Sequence, residues 1–252
     1  MNYFKELSIS TSFPLCYNLL PHFAAAEQEY GALRKCVDAA MEDGRIGAFF
    51  LSDHPARRQN FSSLHLAKDI LASGGEPIVS LSLACNDRNG ALEKLQEYSQ
   101  AGVRQFLFVS GDYPLETDKG RENPLSDLDS VQLLMLLTDF RKKNTIAAGC
   151  AVSPFKTFES EQVWQFEKLR RKISVGADFV ISQLGYDMRK FDELIRFCAL
   201  HKITAPLVAN IFITDMQTAG LIQARRVPGV KIPGPLLRTL YGETSDCLGP
   251  QE

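Results

Sequence analysis

A chain of 252 residues, 45% hydrophobic and 23% charged, has the balance of a soluble globular protein and the usual length of one α/β barrel. Its formal net charge of −2 excludes the concentrated positive field expected of a protein that binds nucleic acid or an anionic membrane. No apolar run approaches the roughly 20 residues that a bilayer span needs, so no membrane partner is expected.

Read from the N-terminus, the chain alternates short β-rich runs with amphipathic windows. The runs are "ELSISTSF" (6–13), "IGAFFLSD" (46–53), "PIVSLSLA" (77–84), "QFLFVSGD" (105–112), "TIAAGCAVS" (145–153), "FVISQL" (179–184) and "PLVANIFI" (206–213). Between them, "EQEYGALRKCVDAAMED" carries Tyr30, Leu33, Val37, Ala40 and Met41 at the spacing of one helix face. "SDLDSVQLLMLLTDFRKK" opens on Ser126 as an expected N-cap and closes on basic residues, which suits the helix dipole. "SEQVWQFEKLRRK" and "DMRKFDELIRFCAL" read the same way, and Gly44, Gly74, Gly102 and Gly176 fall where a helix must stop. No linker or composition shift divides the chain, so a single domain over 1–252 is expected.

Strict β-α alternation argues for a parallel sheet covered by helices. Between a doubly wound sheet and a (β/α)8 TIM-type barrel, the positions of the polar residues favour the barrel. Ser52-Asp53, Cys85 with Asp87, Ser110 to Asp112, Ser153, Gln183 and Thr214-Asp215 all fall at the C-terminal ends of successive runs, where barrel enzymes keep their chemistry. After the seventh run there is room for a helix but not for a helix and an eighth strand. The eighth strand is therefore expected to be missing or replaced, and an open edge would leave backbone groups for a partner to cover.

The six cysteines are scattered, without a Cys-x-x-Cys pair, and there are only four histidines, so neither zinc nor a disulfide framework is expected. "MNYFKELSIS" has no signal-peptide pattern, and the expected compartment is the cytoplasm. There is no Gly-x-Gly-x-x-Gly after a strand, no P-loop and no Gly-x-Ser-x-Gly elbow. In "VSGDYP", Gly111 permits close approach of a planar ligand, and Asp112 either accepts ring N–H groups or makes a turn. "LACNDRN" puts Asp87, Arg88 and Asn89 just past a strand, as ligand contacts or a salt-bridged loop. Arg171 and Lys172, ending a helix, either complement its dipole or meet a diphosphate. Gln183 offers a donor and an acceptor at fixed geometry, suited either to a core hydrogen bond or to the edge of a heterocycle.

At these residues the chain resembles the methylenetetrahydrofolate reductase family, through "PIVSLSLACNDRN", "GVRQFLFVSGDYP", "DLDSVQLL", "KLRRKISVGADFVISQLGYD" and "VPGVKIP", in that order. The resemblance implies a (β/α)8 barrel that binds FAD along the strand ends. There, NAD(P)H and 5,10-methylenetetrahydrofolate would use the flavin in turn to give 5-methyltetrahydrofolate. It also implies Asp112 near flavin and pterin, Gln183 on folate or nicotinamide, Ser52 and Gly111 beside the flavin, and Arg171 and Lys172 near its diphosphate. Asp187 is implied on the substrate side.

Three departures accompany the resemblance. Thr11 of "STSFP" stands at the position of the family's acid, and a hydroxyl cannot replace a carboxyl whose acid catalysis contributes about 10²–10⁴-fold. Ser82 stands where the family has a histidine near the flavin, and the strand bearing a substrate arginine is absent. The first reading is a reductase of one-carbon metabolism, with a partner subunit or second copy completing the barrel. A reductase without flavin, passing hydride directly from the nicotinamide, is an intermediate form of it. The alternatives are a flavin-independent methyltransferase that works on tetrahydrofolate with a corrinoid protein, and a non-catalytic partner subunit.

Overall fold

The computed structural model describes residues 3, 14–19, 27–53, 63–82, 88–110, 129–224 and 230–242. Among them are seven strands: β1 (Leu15–Leu19), β2 (Ile46–Asp53), β3 (Glu76–Ser82), β4 (Gln105–Val109), β5 (Ala147–Val152), β6 (Phe179–Ser182) and β7 (Leu207–Val208). The helices are α1 (Glu27–Asp43), α2 (Ser63–Ala72), α3 (Arg88–Gln100), α4 (Ser130–Leu136), α5 (Thr138–Asn144), α6 (Glu159–Ser174), α7 (Met188–Leu200), α8 (Met216–Gln223) and α9 (Gly234–Tyr241). The sheet order is β1-β2-β3-β4-β5-β6-β7, the chain order itself. Parallel strands that follow one another in chain order, with helices between them, define the α/β fold of the TIM-barrel class. No helix among the described residues is long and apolar enough to cross a membrane.

The chain divides into two compact units, residues 1–150 with 171–179, and residues 151–170 with 180–252. In the first unit β1 to β5 are successively parallel. Phe49, Ile70 and Met41 converge around Gly75, so Phe49 faces α1 and α2. On β4, Phe106 meets the ring of Tyr98 from α3 edge-on at 6.4 Å. Alternation along each strand then turns Phe50 and Ser52, Ser80 and Ser82, and Gln105 and Leu107 to the opposite face. Phe49, Phe106, Phe108 and Phe179 are completely or almost completely buried, each contributing about 1.5–3 kcal/mol. Gly149 exists for this packing: a methyl group there would fall inside the ring of Phe179.

A polar clamp also belongs to this unit. Arg141 of α5 donates to Gly176 O at 2.6 Å and pairs with Asp178, whose Oδ2 also accepts Ala148 N at 2.8 Å. One carboxylate thus joins the end of α5, the turn after α6 and the start of β5.

In the second unit the strands are short. β6 and β7 are parallel through Val180↔Leu207 and Ile181↔Val208 only. Ser182 Oγ receives Asn210 N at 3.0 Å, which ties the end of β6 to the segment after β7. Phe155 lies against Gly185, and Phe166 of α6 packs on Phe197 of α7 with ring centroids 4.8 Å apart.

Several elements differ from the sequence reading. The first described strand is Leu15–Leu19, downstream of "ELSISTSF", which lies outside the described residues. The window beginning at Ser126 becomes two helices broken at Leu137, and the observed N-cap is Asp129. Its Oδ1 accepts Val131 N and Gln132 N, while Gln132 Oε1 accepts Asp129 N at 2.8 Å, a complete capping box; Ser126 itself lies outside the described residues. "PLVANIFI" pairs only at Leu207 and Val208, because β6 offers four residues; Ile211 and Ile213 are exposed at 67% and 96%. No strand follows β7 among the described residues, and α8 and α9 occupy that stretch. The four helix-stopping glycines all have positive φ, between 74° and 105°.

Candidate functional site

Two groups of polar residues stand at strand C-terminal ends, one in each unit. In the first unit Ser52 is paired in register with Ser80, and Ser82 follows two residues later on the same face. Ser52 and Ser82 are half-buried, and Ser80 is buried. The backbone O of Ser52 accepts Ser63 Oγ at 3.0 Å, which fixes the start of α2 against the end of β2. Gln105, fully buried at the start of β4, lies on that same face. Ser80 and Gln105 were missed as candidates, although the alternation in "VSLS" already placed Ser80 with Ser82 on one face.

In the second unit Gln183 follows β6 directly. Its backbone N donates to Val152 O at 2.7 Å, and its side-chain Oε1 accepts Leu184 N at 2.9 Å. Ser182 Oγ holds the Gln183 carbonyl at 3.0 Å. The amide is therefore anchored through its oxygen, half-buried, and its Nε2 donors make no hydrogen bond among the described residues. Ser153, at the end of β5, has a buried Oγ with no hydrogen-bond partner there either. Tyr186, also missed in the sequence, stands three residues beyond Gln183. Burial raises its phenol above the ordinary value, and its hydroxyl is buried with no hydrogen-bond partner among the described residues.

Asp187 and Asp215 have structural duties. Asp187 is the N-cap of α7, accepting Arg189 N at 3.0 Å and Lys190 N at 3.4 Å. Asp215 caps α8 through Thr218 N at 2.7 Å, and these donors hold its carboxyl below the usual carboxylate range.

Arg171 and Lys172 sit side by side in the last turn of α6 but in different surroundings. Arg171 is exposed and Lys172 is buried, with interactions of its own. Successive helical positions are about 100° apart, so the two side chains leave α6 in different directions, and Arg171 too has interactions of its own. Thr11, Gly111 and Asp112 lie outside the described residues, as do Cys85, Asp87 and His54. No group of three or more His, Cys, Asp or Glu among the described residues could hold a metal ion.

Fold and strand-end chemistry together place the chain among the TIM-barrel proteins with polar groups at the strand mouths. Within that class, the sequence profile described as Methylenetetrahydrofolate reductase matches residues 52–246, and the chain belongs to that family. A probable methylenetetrahydrofolate reductase (NADPH) of Caenorhabditis elegans is 27% identical over 140 residues, 52% of this chain and 20% of that protein. Methylenetetrahydrofolate reductase 2 of Schizosaccharomyces pombe is 25% identical over 198 residues, 73% of this chain and 30% of its own. The chain thus spans less than a third of the length of these relatives. A solved structure from Clostridium thermocellum, a protein that binds two copies of 5-methyl-5,6,7,8-tetrahydrofolic acid, shares the fold with a TM-score of 0.66. Its sequence identity is 11%, covering 92% of this chain and 76% of that one.

Proposed function

We propose that this chain binds a reduced folate at its strand ends and serves the reduction of 5,10-methylenetetrahydrofolate to 5-methyltetrahydrofolate, with NAD(P)H as the hydride source. Family membership supports this reading, and so does the fold shared with a protein that binds 5-methyltetrahydrofolate. The single observation that carries it is Gln183. Its amide oxygen is fixed by Leu184 N, which orients two Nε2 donors toward an acceptor that the protein does not supply among the described residues. A pterin edge presents carbonyl and ring-nitrogen acceptors of that kind. Asp112 is proposed as its acidic counterpart, accepting pterin N–H groups, and Asp187 keeps the Gln183 loop in place by capping α7.

The test is calorimetric titration with 5-methyltetrahydrofolate. Gln183→Ala and Asp112→Asn should each weaken binding about tenfold, the worth of a hydrogen bond to a buried partner, with thermal stability unchanged. If neither changes the affinity, these roles are wrong; if the wild-type protein does not bind, the reading fails as a whole.

A second reading draws on the same shared fold, since the protein of that fold binds the methylated form of the folate. It is methyl transfer to or from tetrahydrofolate without flavin, with a corrinoid protein as partner. The visible spectrum after incubation with FAD and desalting decides between them: retained flavin favours the reductase, and none favours transfer.

A further inference from the structure

The second unit carries a cleft of about 280 Å³ that the folate reading does not use. Phe155, Lys156 and Thr157 come from the segment after β5, Asp187 and Lys190 from the start of α7, and Lys231, Ile232 and Pro233 from the segment before α9. Three ammonium groups thus meet one carboxylate. Asp187 is already committed, since its Oδ1 accepts Arg189 N and Lys190 N and lies 3.7 Å from Arg189 Nε. Lys190 has its own counter-charge in Glu193 at 3.3 Å and donates to Gln162 at 2.5 Å. Gln162 in turn donates to Glu193.

Lys156 and Lys231 differ. Lys231 donates to the hydroxyl of Thr157, a neutral partner that fixes the ammonium without neutralising it. Lys156 makes no ion pair among the described residues. Neither Lys156 nor Lys231 pairs with a carboxylate among the described residues, so two cations drawn from distant parts of the chain line one cleft whose carboxylate, Asp187, is already engaged, and their repulsion is relieved when an anion is present. The remaining walls are apolar: the half-buried ring of Phe155 on one side, Ile232 and Pro233 on the other. Cations beside a flat apolar wall suit a ligand that joins a dianion to a small planar or aliphatic body.

We propose that this cleft binds a small-molecule phosphate monoester. Its dianion would be held between Lys156 and Lys231, with the Thr157 hydroxyl beside it, and its organic part would lie on Phe155 and Pro233. Two excess positive charges match a group carrying about −1.5 to −2 at neutral pH better than a single carboxylate. Asp187 opposes an anion from one side, and its engagement with the α7 amides keeps that opposition partial.

The experiment is calorimetric titration of the full chain with phenyl phosphate, and separately with inorganic phosphate and benzenesulfonate. Saturable binding of phenyl phosphate is expected. Inorganic phosphate should bind more weakly because it lacks the ring, and benzenesulfonate more weakly because it is a monoanion. Lys156→Met and Lys231→Met should each lower affinity about tenfold, Lys231→Arg should retain most of it, and Lys142→Met on α5 should change nothing. Lys156 makes no hydrogen bond or ion pair among the described residues, so Lys156→Met keeps the test valid if Lys231→Met misfolds. No saturable binding at millimolar concentration, equal binding of benzenesulfonate, or unchanged affinity in Lys156→Met would each overturn the proposal.

Discussion

The strands of the first unit and the strand-end loops of the second solve opposite problems with similar residues. β2 and β3 run eight and seven residues and expose none of their described side chains fully, with Phe49, Leu51, Ile78 and Val79 at 0% exposure. β6 and β7 run four and two residues, and the segment beyond β7 leaves Ile211 and Ile213 in the open. Long paired strands lock side chains by packing on both faces. Short strands leave loops in which side chains are held by individual hydrogen bonds, as Gln183 is. The difference teaches where change is tolerated: in the first region a methyl group matters, and in the second a donor or a charge does.

The sharpest way to break this contrast is Gly149→Val. Phe179 is completely buried and cannot retreat, so a loss of about 3 kcal/mol is expected in urea unfolding. An unchanged midpoint would mean that this packing is loose. Asp178→Asn should cost about 1–2 kcal/mol, since the clamp loses its charge on Arg141 while Ala148 N keeps an acceptor. Gly185→Ala is the matched test in the second unit. It also drives a methyl group into a ring, but Phe155 is only half-buried and can swing aside, so less than about 1 kcal/mol is expected. Equal penalties at Gly149 and Gly185 would erase the distinction.

Smaller effects sharpen it. The carboxyl of Asp215 is held below its ordinary value, so its contribution is present above the unfolded pKa of about 3.9 and is lost as pH falls through the lower folded value. Asp215→Asn keeps an N-cap acceptor and should flatten the decline of stability below about pH 4, with little change at neutrality. The smallest expected difference is chemical. Burial pushes the Cys16 thiol up to about 11, so at neutral pH it should be alkylated more slowly than exposed Cys36, as peptide mapping would show. Equal rates would place Cys16 in an open edge rather than a packed one.

Most of the architecture was legible because it is written in local periodicity. "EQEYGALRKCVDAAMED" coincides with α1 residue for residue, four of the β-rich runs contain β2, β4, β5 and β6, and the run at 77–84 misses only the first residue of β3. What escaped is what depends on a competitor or a neighbour. The helix start seen at Asp129 depends on the reciprocal cap that Asp129 and Gln132 form, while Ser126 lies outside the described residues. "PLVANIFI" looked like a strand because it is apolar, but a strand needs a partner as long as itself. Asp187 caps α7, a role that the pattern Asp-x-x before a helical window marks in the sequence as well.

By itself the sequence determined the order of strands and helices, the family and the position of Gln183 at a strand end, because period, motif order and strand length act over a few residues. Tertiary structure decided that the Gln183 amide is anchored through its oxygen, that Lys172 is buried while Arg171 is not, and that Lys231 meets Thr157 from 74 residues away. Those outcomes depend on which groups share a neighbourhood once the chain has closed its loops, and no local pattern encodes that.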